Sequence, residues 1–391
     1  MSPPTFPGVD YFALDELLGE DERLVRDSIR QFVDREILPV IGRCFRDGVS
    51  PPGLAGRLGA LGCLGAHLEG WGCPGMGSVA YGLIMLELER GDSAVRSFAS
   101  VQGALVMYPI HAFGSDAQKE RWLPRLAAGE AVGCFGLTEP DFGSNPAGML
   151  TAARRQGASF VLNGVKRWIT NGSLADVAVV WAKLDGRIRG FLVERSSPGF
   201  STRDIHGKLS LRASVTSELV FEDCEIPQDN LLPGVDGMKG PLSCLSQARY
   251  GIAWGAVGAA MACYDEALSY AKTRVQFDRP IAGYQLVQQK LVHMLTEITK
   301  GQLLAWRLGK LKDAGALRPQ QISLAKRNNV FFALDIARAA RDILGANGIT
   351  DEYQAGRHMA NLESVFTYEG THDIHTLIIG EDITGRSAFF G

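Results

Sequence analysis

Residues 159–172 read SFVLNGVKRWITNG, and the assignment of this stretch decides how the chain divides. Asn163-Gly164 stands between two β-prone runs, and a two-residue hairpin needs positive φ at both central positions, which Asn and Gly tolerate. The stretch predicts a hairpin at Asn163-Gly164. VAVVWAKL (177–184), GFLVER (190–195) and SELVFEDCEI (217–226) follow as further β-rich runs with turn residues between them. The middle third is expected to form an antiparallel sheet or small barrel.

Outward from this segment the period changes. In DERLVRDSIRQFVDREILPVI (21–41), Leu24, Ile29, Phe32, Val33, Ile37 and Leu38 recur at three- to five-residue spacing, which places them on one helical stripe. Segments near 78–90, 93–113 and 116–128 read as further helices. After Pro241 the helices return and lengthen. Residues 284–315 carry apolar side chains at three- and four-residue spacing, and the helix over 321–345 ends at Gly345, a C-cap residue. The expected organisation is α+β and multidomain: a helical domain over 1–130, a β-domain over 131–240 and a helical bundle over 241–391. Two such long helices leave apolar faces for another subunit.

The chain has 391 residues, too many for one core. Apolar residues make up 46%, charged residues 21%, and the formal net charge is −3, so nothing favours nucleic acid or an anionic membrane surface. The apolar run GIAWGAVGAAMAC (251–263) is too short to span a bilayer and reads as a buried helix. Seven cysteines are scattered singly without a CxxC pair, which suits a reducing compartment. MSPPTFPGVD lacks the pattern of a secretory signal, and a cytoplasmic location is expected.

Several segments carry chemistry in outline. GMGSVA (75–80) matches a dinucleotide-binding fingerprint formally, but no strand precedes it, and it reads as a loop entering a helix. CFGLTEPDFGSN (134–145) passes from an apolar run into a loop whose N–H groups and hydroxyls suit an anion or a flat heterocycle, though from this segment alone an ordinary Pro/Gly turn is the favoured reading. Trp168 and Thr170 alternate on one strand face, as a planar cofactor with a polar edge would require; a core tryptophan is the plainer reading. FTYEGTHDIH (366–375) offers His372, Asp373 and His375 as metal ligands, but zinc needs more ligands than the isolated remaining histidines supply, and no metal is expected. Thr371 as an N-cap accounts for the helix start. Glu369, beside a glycine that lets backbone approach a ligand, is the candidate base.

LTEP..GS (137–144), K.WITNG (166–172), R.QF (274–277), LG.NG (344–348) and YEGT (368–371) together resemble the acyl-CoA dehydrogenase family of flavoproteins, in family order and spacing. The resemblance implies an N-terminal helical domain, a middle β-domain and a C-terminal four-helix bundle. It implies FAD as cofactor, an acyl-CoA thioester as substrate, a homotetramer and an electron-transferring flavoprotein as acceptor. Glu369 would remove the α-proton while the β-hydrogen leaves as hydride to the flavin. The Glu369 N–H and a ribityl hydroxyl would hold the thioester carbonyl, an oxyanion-hole arrangement. Phe135, Leu137, Thr138, Ser144, Trp168 and Thr170 match flavin-contacting positions, with Ser144 also near substrate. Arg274 and Phe277 match residues that reach the FAD of a neighbouring subunit. Gly345 and Gly348 match a pyrophosphate loop, and Thr371 and Asp373 match FAD contacts. Arg249 matches an arginine that supports the region of the base and the CoA.

Within that family, ARYGIAWG (248–255), MLTEIT (294–299), KRNN (326–329), ALDIAR (333–338), YEGTHDIH (368–375) and LELERGDSAVRSFASVQ (86–102) resemble the glutaryl-CoA dehydrogenases. That subgroup implies Arg96 and Ser100 facing a distal carboxylate, with Glu89 and Tyr368 near it. A spacing of four puts Arg96 and Ser100 on one helical face, although a solvated arginine is the usual fate of the residue type. Oxidation of glutaryl-CoA with loss of CO2 would give crotonyl-CoA. The alternative is a short or branched monocarboxylic acyl-CoA. Asn145 stands where many members have Asp, and Ala346 where they have Gly.

Overall fold

A computed structural model describes residues 6–389; residues 1–5 and 390–391, the outermost of the expected first and third domains, lie outside it. Among the described residues seven α-helices come first: α1 (Glu20–Phe32), α2 (Leu38–Asp47), α3 (Leu54–Ala60), α4 (Ser78–Gly91), α5 (Ser93–Ser100), α6 (Tyr108–Phe113) and α7 (Asp116–Ala127), with π-helical turns joining α1 to α2 and α5 to α6. A two-strand ribbon, β1 (Glu69–Gly70) and β2 (Cys73–Pro74), forms where no strand is expected before GMGSVA; it pairs only with itself, and from its end GMGSVA runs as a loop into α4. Asp92 caps α5 by accepting from the Ala94 N–H at 2.8 Å. Ser115 and Gln118 cap α7 reciprocally.

The sheet comprises β3 (Gly133–Gly136), β4 (Ala152–Gln156), β5 (Ser159–Thr170), β6 (Val177–Leu184), β7 (Arg187–Glu194), β8 (Phe200–Asp204) and β9 (Thr216–Pro227). Pairing is antiparallel except where β3 and β4 each run parallel to part of β6. Alternate residues of β6 serve two cores. Ala178, Val180 and Ala182 face the sheet's own interior, whereas Val177, Val179 and Trp181 join the helical core.

The expected hairpin at Asn163-Gly164 is not formed. β5 runs through both residues, and the pair marks a bulge where its register against β9 shifts. Gly164 is required there by close approach: a Cβ would lie 2.7 Å from the Thr151 Cα. The turns fall instead at Gly157-Ala158, between β4 and β5, and at Asp185-Gly186, between β6 and β7. Both residues of the latter have positive φ, +52° and +79°, as a type I′ turn demands.

After the sheet come α8 (Lys239–Thr273), the ribbon β10 (Val275–Gln276) and β11 (Arg279–Pro280), α9 (Gln285–Asp313), α10 (Pro319–Ile343), α11 (Ala355–Thr367) and α12 (His372–Thr384). Gly345 follows α10 with φ +60°, in the left-handed conformation of a helix stop. Residues 250–263 of α8 are buried throughout, and this helix packs on α4, so the first and last helical segments share one core. Glycine makes the contact possible, since a Cβ at Gly258 would sit 1.9 Å from the Leu86 carbonyl oxygen. Among the described residues no helix is long and apolar enough to cross a membrane.

Candidate active site

The link between α11 and α12 is Tyr368-Glu369-Gly370, followed by Thr371, whose hydroxyl accepts from the Ile374 N–H at 3.1 Å. Glu369 has φ +53° and Gly370 φ +92°. Left-handed backbone at a non-glycine residue costs on the order of 1 kcal/mol or more, so the surroundings must hold it. They do so with cations. Arg249, on α8, donates from Nε to the Glu369 carbonyl at 2.7 Å. Lys326, on α10, donates from Nζ to the carbonyls of Tyr368 at 2.9 Å and Gly370 at 2.8 Å. Three successive carbonyl oxygens thus each rest on a positive side chain. Gly370 lies tight against this frame; a Cβ would be 3.0 Å from His375 Nε2 and 3.1 Å from Arg249 Nη2.

Glu369 Oε2 is buried and has no hydrogen-bond partner within the chain. Burial pushes the Glu369 pKa up, and the charges of Arg96, Lys326 and Arg249 offset part of that rise. The carboxylate is therefore held in place through its backbone while its oxygen stays free to take a proton. His375 is buried, and burial with the nearby Lys326 and Arg249 lowers its pKa to about 2, so it stays neutral. His372 stacks on Phe366 with ring centroids 4.6 Å apart. Among the described residues no group of three His, Cys, Asp or Glu side chains is arranged to hold a metal ion.

Beyond Glu369 lies a buried polar cluster. Arg96, on α5, is fully buried and donates from Nε to Glu89 Oε2 at 2.6 Å and from Nη2 to the Tyr368 hydroxyl. Burial opposes the guanidinium charge, but Glu89 and Tyr368 outweigh it, and the Arg96 pKa is raised. The solvated-arginine reading is excluded. Gly255 on α8 leaves room for the pair, because a Cβ there would stand 2.0 Å from Glu89 Oε2. Arg96 Nη1 is buried with no partner in the chain, and the buried Ser100 and Tyr81 hydroxyls have only each other within reach, without good hydrogen-bond geometry. Interior polar groups are normally satisfied, so an unpaired guanidinium nitrogen near two weakly satisfied hydroxyls marks a place where a polar ligand belongs.

The positions matched to flavin contacts lie outside this cluster. Phe135 and Leu137 are buried at the end of β3. The loop after them is anchored by Glu139, which accepts from Lys166 Nζ at 2.8 Å and from the Leu150 and Thr151 N–H groups at 2.6 and 2.9 Å. Thr138 receives the Arg167 N–H at 2.8 Å, which ties the loop to β5, while Ser144 is exposed at its tip. Trp168 is 55% exposed at φ +64°, where β5 and β9 lose register, with Thr170 partly buried beyond it. A bulky residue held left-handed and facing out is uncommon without a functional reason. At the far end of α8, Arg274 and Phe277 are exposed, Phe277 to 89%. Asn347, between Gly345 and Gly348, donates to the Tyr270 hydroxyl at 3.1 Å and so brings that loop to the same end. Asp373 is exposed in the first turn of α12.

Sequence profiles for the N-terminal, middle and C-terminal domains of acyl-CoA dehydrogenases match residues 19–130, 134–224 and 235–384. The chain belongs to the acyl-CoA dehydrogenase family. A crystal structure of a glutaryl-CoA dehydrogenase from Mycobacterium smegmatis in complex with FADH2 superposes with a TM-score of 0.96 at 55% identity, covering 97% of this chain and 99% of that one. Butyryl-CoA dehydrogenase from Megasphaera elsdenii superposes with a TM-score of 0.89 at 31% identity, covering 94% and 98%. The human mitochondrial short-chain specific acyl-CoA dehydrogenase is 35% identical over 370 residues, 93% of this chain and 90% of its own. Acyl-CoA dehydrogenases are FAD-dependent, and the residues here fit that cofactor: an outward tryptophan beside a hydroxyl-bearing strand, and open, partly left-handed loops at the end of the bundle.

Lys326 and Tyr81 were not singled out by sequence. A signal exists for Lys326: Ile322, Ala325, Asn329, Val330 and Ala333 form the buried stripe of α10, and Lys326 falls on it.

Proposed function

We propose that the enzyme oxidises glutaryl-CoA and releases CO2 to give crotonyl-CoA. The observation that carries this reading is Arg96 Nη1, a charged donor sealed in the interior with no partner, one helical turn from the buried Ser100 hydroxyl. A fatty acyl tail would leave both unsatisfied, whereas a distal carboxylate satisfies them with charge-assisted hydrogen bonds. The 55% identity to a glutaryl-CoA dehydrogenase, against 31% to a butyryl-CoA dehydrogenase, supports the same choice.

In this reading Glu369 takes the α-proton, and its own N–H holds the thioester carbonyl as negative charge develops on it. FAD, when bound, accepts the β-hydrogen as hydride. Arg96 and Ser100 fix the far carboxylate, with Tyr368 and Glu89 orienting Arg96, so the acyl chain is stretched between clamp and base. Once the double bond stands conjugated to the thioester, the C–C bond to the carboxylate can break. CO2 leaves, its electron pair moves into the conjugated system, and a proton is added at the γ-carbon. Arg249 supports the Glu369 turn. Phe135, Leu137, Thr138, Ser144, Trp168, Thr170, Gly345, Gly348, Thr371 and Asp373 line the FAD, and Arg274 and Phe277 reach the FAD of a second copy. Exposed apolar side chains on α9, α10 and α12, Leu286, Phe331 and Ile383 among them, suit burial in a homotetramer. An electron-transferring flavoprotein would re-oxidise the cofactor. Seven unpaired cysteines suit a reducing cytoplasm.

The second reading is a short or branched monocarboxylic acyl-CoA dehydrogenase, favoured by the 35% identity to the human short-chain enzyme. Turnover of glutaryl-CoA and butyryl-CoA by wild type and Arg96→Ala separates the two. Selective loss of glutaryl-CoA turnover in the variant supports the clamp, and equal use of butyryl-CoA by wild type overturns it.

A further inference from the structure

We propose that Lys326 is a positioning residue for the proton-abstracting carboxylate: it clamps the strained turn on both sides of Glu369, and its ammonium stabilises the ionised, proton-accepting form of that side chain. The inference rests on Glu369 as the base. Its geometric ground is the pair of hydrogen bonds from one ammonium to Tyr368 O at 2.9 Å and Gly370 O at 2.8 Å, bracketing the residue that does the chemistry. Arg249 holds only the middle carbonyl, at 2.7 Å, and leaves the flanking peptides unfixed. Glu369 and Gly370 are left-handed in succession, and the one ammonium reaches the carbonyls on both sides of the base while also bringing a positive charge beside it.

Burying a lysine is costly unless its charge is used, and Lys326 is 1% exposed. Burial lowers its pKa to about 7, with Arg249 and Arg96 acting in the same direction and the Glu369 carboxylate opposing them. The coupling is reciprocal: whatever Glu369 does to hold the ammonium charged, the ammonium does to hold Glu369 ionised. The other groups facing this point are Arg96 from α5, Glu89 and Tyr81 from α4, Arg249 from α8, Tyr368 beside the base, and His372 and His375 from α12. Lys326 is the one among them bonded to both neighbours of Glu369.

The test is the pH dependence of flavin reduction in the FAD-loaded protein, measured with glutaryl-CoA and with butyryl-CoA, for wild type, Lys326→Met, Lys326→Arg and Glu369→Gln. Removing the charge should move the acid limb up by about one pH unit, because a neighbouring cation favours the ionised carboxylate. The loss should fall in kcat, with KM nearly unchanged. Lys326→Arg should return the limb to the wild-type position. Lys326→Gln, which keeps a donor without the charge, reads the same limb should Met at this position not fold. An unmoved limb in a charge-removing variant that retains FAD overturns the proposal, as does an equal displacement in Lys326→Arg. Wild-type turnover by Glu369→Gln would instead remove the base assignment itself; a dead Glu369→Gln together with an unmoved limb in the charge-removing Lys326 variants removes only the role of Lys326.

Discussion

The two sides of Glu369 are built differently. Toward the acyl end, Arg96, Glu89 and Gly255 are buried on helices of the shared core, with Tyr368 half-buried in the link beside the base, so the protein side of this cluster comes from one chain. Among the positions matched to the cofactor, Trp168, Phe277 and Arg274 stand exposed, and they are scattered over a sheet bulge, the end of α8 and the turn between β10 and β11. The first region is fixed by folding. The second is finished only when something else, a cofactor or another copy, lies against it. Substitutions in the first should therefore disturb stability and substrate choice together, and substitutions in the second should disturb cofactor retention alone.

The largest effect is expected at the junction of the regions. Glu369→Gln should lower turnover by about 10²–10⁴-fold, the usual contribution of a general base, while the protein keeps its yellow flavin. Absorbance with and without substrate reads both. Next is Arg96→Ala, which strands Glu89 as an unpaired buried charge and should cost about 3–5 kcal/mol in denaturant unfolding. Adding Glu89→Gln should recover much of that stability without recovering glutaryl-CoA turnover, a separation that a purely structural ion pair would not give. Gly255→Ala should act in the same place more mildly. Its Cβ would stand 3.2 Å from Arg96 Nε as well as against Glu89, so glutaryl-CoA turnover should fall more than that of butyryl-CoA.

On the other side, Phe277→Ala should leave apoprotein stability within about 0.5 kcal/mol, since an exposed side chain loses little on truncation. FAD should nonetheless dissociate more readily, as fluorescence of released flavin would show. A pH series bears on both regions. Burial raises the Glu369 pKa, so activity should fall as pH drops through a value above the ordinary carboxylate range. Linkage gives stability the opposite sign. The folded state binds this proton more readily than the unfolded chain, so this group's contribution to stability declines as pH rises through the same window.

The sequence exposed the order of helices, sheet and helices because each segment keeps its period over many residues. The Thr371 cap and the buried helix over 251–263 were legible from equally local signals, as was the position of Glu369 in the link just before the cap. Asn163-Gly164 misled because turn propensity is local, whereas pairing with β9 and the approach of Thr151 are not. The place of Lys326 on the buried stripe of α10 marks it as unusual, but its role escaped because the carbonyls it holds lie some forty residues further along the chain. The shared core of the first and last helical segments depends on α4 meeting α8, residues separated by the entire sheet.

The central claim is that the buried Arg96 cluster selects a dicarboxylic acyl chain for oxidation by way of Glu369. Anaerobic incubation of the FAD-loaded enzyme with glutaryl-CoA, followed by mass identification of the thioester, tests it directly. The account predicts a bleached flavin with crotonyl-CoA and CO2 in equal amounts. A flavin that stays yellow with glutaryl-CoA but bleaches with butyryl-CoA would contradict it.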